Sequence, residues 1–321
     1  MLRPKRTLIV ATAIVGFAAI ALAGCKRDNT NGEQAINAPS AAALAFDRSE
    51  QAWRDKRRTD LLKPDGWSSL IGLHWLDPGA HYIGSDAGNG IRLAMGPAHL
   101  GMVDIAGKQV RFTPDKSAAL TVDGQPFTAA APLRTDADKA GPSVIGFDDG
   151  KGQATVIERD DRYALRVKHA EAPSRMQFVG LDYWPAEPGW KIKGKFIPHT
   201  PARTIEIANI IGSMDAMANP GVVEFQHDGK AYRIEALDEG EGVLFLVFAD
   251  RTNGHGSYGA GRFLDAPMPD ANGTVVLDFN QARNPPCAFT AFATCPLPPP
   301  ENRLDLAITA GEKAYHKPAH S

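Results

Sequence analysis

The sequence predicts a mainly β protein: an N-terminal helix, then antiparallel β-structure, sandwich or barrel-like, in two packed regions. Three observations lead there. The 321 residues include 31 Gly and 24 Pro, a composition that favours turns and short strands over long helices. Past Trp67 the apolar residues recur with a period of two, as in half-buried strands. Ala41 to Leu62, by contrast, contains Ala, Leu, Gln, Arg, Lys and Glu, all good helix formers.

The first residues read as an address. Arg3, Lys5 and Arg6 precede an apolar run from Leu8 to Ala23, and Leu22-Ala23-Gly24-Cys25 follows. Positive start, apolar stretch and small residues before a cut are the parts of a secretory signal peptide, here residues 1–24. The Cys at the cut resembles a bacterial lipobox. That resemblance implies a diacylglycerol thioether on Cys25 and an acylated new N-terminus, with the lipid bilayer as partner. Lys26 follows, without the Asp associated with inner-membrane retention, so a periplasm-facing lipoprotein of the outer membrane is expected. Residues 25–40 are polar and read as the lipidated Cys and a flexible tether.

Ser40 caps the expected helix, and Pro64-Asp65-Gly66 ends it within 41–66. Phe46 and Trp53 share one face; Arg54, Lys56, Arg57 and Arg58 read as the solvated face or as a contact to anionic lipid. Residues 67–130 read as a small β-sandwich-like region with strands at Leu100-Met102, Val110-Phe112 and Leu120-Val122. Residues 131–315 read as a larger β domain. Its strands are expected around Tyr163-Val167, Ile205-Ile207, Val222-Phe225, Ala231-Ile234, Val243-Phe248, Val275-Phe279 and Leu304-Ile308. Asp228-Gly229 is a two-residue hairpin signal, and Val243-Phe248 is expected as the central strand. Residues 316–321 read as a frayed tail.

Composition narrows function. Without Arg3, Lys5 and Arg6, 35 basic residues fall to 32 against 37 acidic, a net −5, unsuited to gripping nucleic acid. No Gly-x-Ser-x-Gly elbow, P-loop or dinucleotide fingerprint occurs, and the nine His show no metal-ligand spacing before His316 and His320 in the tail, where Pro318 opposes a helical ligand pair, so neither cofactor nor metal is expected. Cys287 and Cys295 are an even pair for an oxidising compartment. A disulfide is the first reading; a thiol or metal pair remains open.

Asp278-Phe279-Asn280-Gln281-Ala282-Arg283-Asn284-Pro285-Pro286-Cys287-Ala288-Phe289, then Thr294-Cys295-Pro296-Leu297-Pro298-Pro299 and Glu301-Asn302-Arg303-Leu304, form an unusual Pro-stiffened segment. With Gly66-Trp67-Ser68-Ser69-Leu70, Asp250-Arg251-Thr252, Tyr258 and Gly261-Arg262-Phe263-Leu264, it resembles the bacterial and archaeal domain of unknown function family 1684, over roughly residues 45–315. That family implies no activity and supplies no catalytic residue. Separately, Leu76-Asp77-Pro78-Gly79 through Ile83-Gly84-Ser85 is similar to the opening of a forkhead-associated domain. Ser85 stands where such domains carry a phosphate-binding Arg, and only His99 remains of the next loop's pair, so the likeness points to a β-sandwich rather than to phosphopeptide reading.

Candidate site residues are the polar groups flanking the C-terminal strands. Asp250, Thr252, Tyr258, Arg262, Asn280, Asn284 and Asn302 could hold a small polar ligand or an envelope partner. Asp278 or Glu301 as base, with Arg262 and Tyr258 as charge stabilisers, would instead make a hydrolase-like enzyme. The competing structural reading has the same side chains tying irregular loops to the backbone. Oligomeric state is not legible.

Overall fold

The computed structural model describes residues 39–317. The signal peptide, Cys25, nearly all of the tether and the last four residues of the tail lie outside the described residues. No described helix is long and apolar enough to cross a membrane. Helix α1 spans Ala41–Leu61, close to its expected bounds. Its inward face carries more charge than expected: Glu50 is buried, and Arg54 and Arg57 turn inward with Phe46 and Trp53. The spacing explains this, since positions 46, 50, 53, 54 and 57 fall on one helical stripe.

The first β region contains β1 (Leu70–Leu76), β2 (Gly79–Gly84), β3 (Ile91–Arg92), β4 (Gly101–Ala106), β5 (Gln109–Pro114), β6 (Thr121–Val122), β7 (Gln125–Pro126), β8 (Ala131–Leu133), β9 (Ile145–Phe147), β10 (Gly152–Arg159) and β11 (Arg162–His169). They form a five-stranded sheet, β3-β2-β4-β5-β8, and a six-stranded sheet, β1-β11-β10-β9-β6-β7. All pairings in them are antiparallel except β2 with β3. One core lies between the sheets, from Ile83, Leu100, Val103 and Phe112 on one side and Ile145, Val156 and Leu165 on the other. A boundary between 130 and 131 would cut this unit, because β1 pairs with β11 from Leu70↔Lys168 to Leu76↔Tyr163. The β-sandwich extends to about Ala172, the last residue of its core.

The second region is one six-stranded antiparallel sheet. Its strands are β12 (Lys191–Ala208), β13 (Met214–His227), β14 (Lys230–Asp238), β15 (Val243–Phe248), β16 (Arg262–Pro267) and β17 (Thr274–Asp278), in the order β16-β15-β14-β13-β12-β17. The β13–β14 turn is Asp228-Gly229, both at positive φ (49° and 74°), which matches the right-handed twist of the strands it joins. Strand β15 is second from an edge, not central. It is apolar throughout because both its faces are covered: Leu244, Leu246 and Phe248 enter one core, Phe245 and Val247 another.

Leu304-Ile308 is not a strand. It runs beside the end of β15 through scattered bonds, Leu304 N–H to Ala249 O (2.8 Å) and Arg251 N–H to Leu306 O (2.9 Å). Asp250 Oδ1 takes the Ile308 N–H (3.3 Å), so a side chain replaces a ladder partner there. The chain from Phe279 onward thus wraps the sheet as loop and short 3₁₀ turns, at Phe279–Gln281, Pro286–Ala288 and Pro300–Asn302.

Candidate functional site

The expected polar cluster divides into separate structural ties. Arg262, at the start of β16, is 0% exposed. Its Nη2 donates to Asp250 Oδ2 (2.6 Å) and Ile308 O (2.9 Å), while Nη1 donates to Ala310 O. Asp250 Oδ1 accepts the Thr252 N–H (2.7 Å) and hydroxyl (2.6 Å). The guanidinium therefore stitches the end of β15 to the returning chain, as a fork of fixed donors does well. Asn302 is fully buried and binds Glu235 N–H (2.7 Å), Glu235 O (2.9 Å) and Val247 O (2.9 Å), clamping β14 and β15. Asn280 clamps Glu187 by both its N–H and its carbonyl (3.0 Å each).

The two candidate bases lie elsewhere. Asp278 pairs with Lys191 Nζ at 2.9 Å and accepts from Asn280. Glu301 is exposed on its 3₁₀ turn. Among the described residues neither is bonded to Arg262 or Tyr258. Tyr258 instead donates its hydroxyl to Cys287 Sγ at 3.7 Å. The expected disulfide is absent: Cys287 and Cys295 are free thiols. They are adjacent nonetheless, with the Cys287 N–H on Cys295 Sγ at 3.1 Å.

What the fold does bring together is a set of arginines. A cleft of about 360 Å³ is lined by Arg57, Arg159, Arg166 and Arg283, with Trp67 and Asn284. Thr294, Cys295 and Pro296 complete one wall, and Glu239 and Glu241 from the β14–β15 turn stand at another. Three of the four guanidinium groups already have a carboxylate: Arg57 Nε with Glu312 (2.7 Å), Arg159 with Asp136 (2.8 Å), Arg283 with Asp265 (2.7 Å). Arg166, on β11, has none among the described residues. Its Nη2 donates to Thr294 Oγ1 (3.1 Å), its Nε is buried without a partner, and its guanidinium lies 5.5 Å from the Trp67 ring. Burial lowers its proton affinity below that of an ordinary arginine; Arg159 adds to this, and Asp136 and Cys295 oppose it. Asn284, 1% exposed, also has a buried Oδ1 without a partner among the described residues, while its Nδ2 donates to Lys313 O (2.7 Å).

A buried cation without a counter-charge is costly, so this arrangement is suited to completion by an anion. Of the expected site residues, only Asn284 and Cys295 belong to the cleft wall. Arg166 carries little local signal, because Arg162, Lys168 and His169 share its strand and the alternation of β11 is that of an ordinary half-buried strand. Its partner Thr294 is 128 residues away, which no local pattern reveals.

Comparison with known proteins places this geometry in context. The model of the family described as "Protein of unknown function (DUF1684)" matches residues 176–313. An uncharacterized protein of Haloarcula marismortui, solved in solution by NMR, is 30% identical, covering 43% of this chain and 78% of its own, with a TM-score of 0.37. No curated protein matches. The matched family residues begin after the first β region, so no comparison carries the forkhead-associated likeness. There Ser85 spends its hydroxyl on Gly96 O (2.8 Å).

Proposed function

We propose, because the chain belongs to the family described as a protein of unknown function (DUF1684) and that family assigns no reaction, a reading built on its own residues. The protein is a membrane-anchored, periplasm-facing lipoprotein that binds a small anionic ligand in the cleft around Arg166. The observation that carries the binding reading is the contrast among the four arginines. Three are neutralised within the protein, and the fourth, largely buried, is not. A carboxylate or phosphate in the cleft would supply the counter-charge that this guanidinium lacks, through a charge-assisted contact. The anchor reading is supported by the lipobox-like Leu22-Ala23-Gly24-Cys25. The enzyme alternative draws less support, since Asp278 and Arg262 are occupied by structural bonds, Tyr258 donates to Cys287, and Glu301 is exposed and apart from them.

The test is a melting screen of the full chain in mild detergent at low salt, against phosphate, sulfate, citrate and acidic amino acids. Any ligand at 100 times its Kd stabilises by about 2.7 kcal/mol, which is readily seen. Arg166→Met removes an uncompensated charge. Its melting temperature without ligand should equal or exceed that of the wild type, and the stabilisation by anions should vanish. A variant that melts lower without ligand would make Arg166 a structural residue and defeat the reading.

A further inference from the structure

The wall of the arginine cleft holds chemistry that anion binding alone does not use. Cys295 lines the cleft next to Thr294, the residue that receives Arg166. Cys287 sits eight residues earlier in the same Pro-stiffened loop, next to Pro286 of the cleft wall but not itself in that wall, and is partly exposed, whereas Cys295 is buried. The 3₁₀ turn Pro286–Ala288 aims the Cys287 N–H at Cys295 Sγ (3.1 Å). On its other side the Cys287 sulfur accepts the Tyr258 hydroxyl (3.7 Å). The two thiols are thus held in contact and are chemically unequal. The Cys287 sulfur is surrounded by donors, those of Cys295 and Tyr258, which lower its pKa to about 7 against the opposing effect of burial. Cys295, as the donor to that sulfur and itself buried, is pushed up. One partly exposed thiolate former beside one buried thiol is the division of labour that thiol–disulfide exchange requires.

We propose that Cys287 and Cys295 are a redox-active dithiol that exchanges with small acidic disulfides docked on the Arg166 cleft. The proposal rests on the anion-binding reading for its choice of substrate, and on the cysteine geometry for its chemistry. In the first step the Cys287 thiolate attacks one sulfur of the disulfide R–S–S–R. A Cys287–S bond forms, the S–S bond breaks, and R–S⁻ leaves and takes a proton from solvent. In the second step Cys295 gives its proton to solvent and attacks Cys287 Sγ. The Cys287–Cys295 bond forms and the second R–S⁻ leaves and is protonated. The protein dithiol loses two electrons, and the small disulfide gains them as two thiols. Arg166 acts by holding a carboxylate of R, so it is a positioning residue.

The experiment uses the full reduced chain in detergent, with oxidised glutathione as the acidic probe and cystamine as a cationic disulfide of comparable size. Mass spectrometry with alkylation follows the intramolecular Cys287–Cys295 bond over time. The expected result is formation of that bond by both probes, with a preference for oxidised glutathione. In Arg166→Gln the ratio of the two rates should fall by about tenfold, the loss expected of one charge contact. Cys295→Ser should accumulate the mixed disulfide on Cys287, because the second step has lost its nucleophile. Failure of both probes to form the bond overturns the proposal and leaves anion binding to be judged by phosphate or citrate titration alone. Bond formation with a rate ratio unmoved by Arg166→Gln also overturns it, because the acidic substrate class is then wrong. Mixed-disulfide formation at Cys295 in Cys287→Ser, equal in rate to that at Cys287, would refute the assigned roles.

Discussion

Arg262 offers the sharpest test of how the second β region is held together. Replacing it with Met removes the cation from Asp250 and the donors from Ile308 O and Ala310 O, all within a fully buried site. Breaking a buried ion pair by deleting one partner costs about 3–5 kcal/mol, chiefly because the other charge is left unpaired. Asp250 keeps three other donors, the Thr252 N–H and hydroxyl and the Ile308 N–H. These soften the loss, so Arg262→Met should fall at the lower end, about 3 kcal/mol. At roughly 2–4 °C per kcal/mol for a chain of this size, the melting temperature drops by about 6–12 °C. Urea unfolding gives the free energy directly, with the slope m checked for constancy. Asp250→Asn in the same chain removes the stranded charge, and the double variant should recover a good part of the loss. A single variant within about 0.5 kcal/mol of wild type would refute the reasoning. So would a double variant as unstable as the sum of the two singles.

Other outcomes follow from the same structure. Asn302→Ala leaves the Glu235 N–H and the Glu235 and Val247 carbonyls without their partner in a buried site, and should cost about 2–4 kcal/mol in urea unfolding. His74 has a buried Nε2 without a partner among the described residues, and burial holds its pKa below 6.5. The unfolded chain therefore takes up the proton first as pH falls, so stability contributed by neutral His74 is full above 6.5 and declines below it. In His74→Leu the stability–pH curve should be flatter below 6.5, and an unchanged slope would contradict this. Cys25→Ser should release the protein from the membrane fraction; continued membrane retention of an uncut precursor would indicate a plain signal anchor.

Much of this fold was legible because its signals are local. Helix α1, the Asp228-Gly229 turn and the apolar run of β15 each announce themselves within a few residues. The pairing of Arg262 with Asp250 was also within reach, since both flank the same strand pair and a buried guanidinium needs a carboxylate. Long-range pairing was hidden. Nothing near Leu70 says that it lies beside Lys168, so the first sandwich looked complete forty residues too early, by about the length of the loop and strands that close it. Leu304-Ile308 has a strand's alternation, yet a carboxylate replaces its ladder and it remains irregular. The inward turn of Arg54 and Arg57 was masked by the rule that charges face water, which fails when Glu312 and backbone carbonyls wait inside. The cleft itself joins residues of α1, β10, β11 and the Pro-stiffened loop, and no linear pattern connects them.

Arg166 is proposed here as a cation that an anion completes. Calorimetric titration of the full chain with inorganic phosphate and with citrate, at low and at physiological salt, tests it most directly. Saturable one-site binding of at least one of these anions is expected, weaker at higher salt, and about tenfold or more weaker in Arg166→Gln. Absence of binding by both anions in the wild type, or equal affinity in Arg166→Gln, would contradict it.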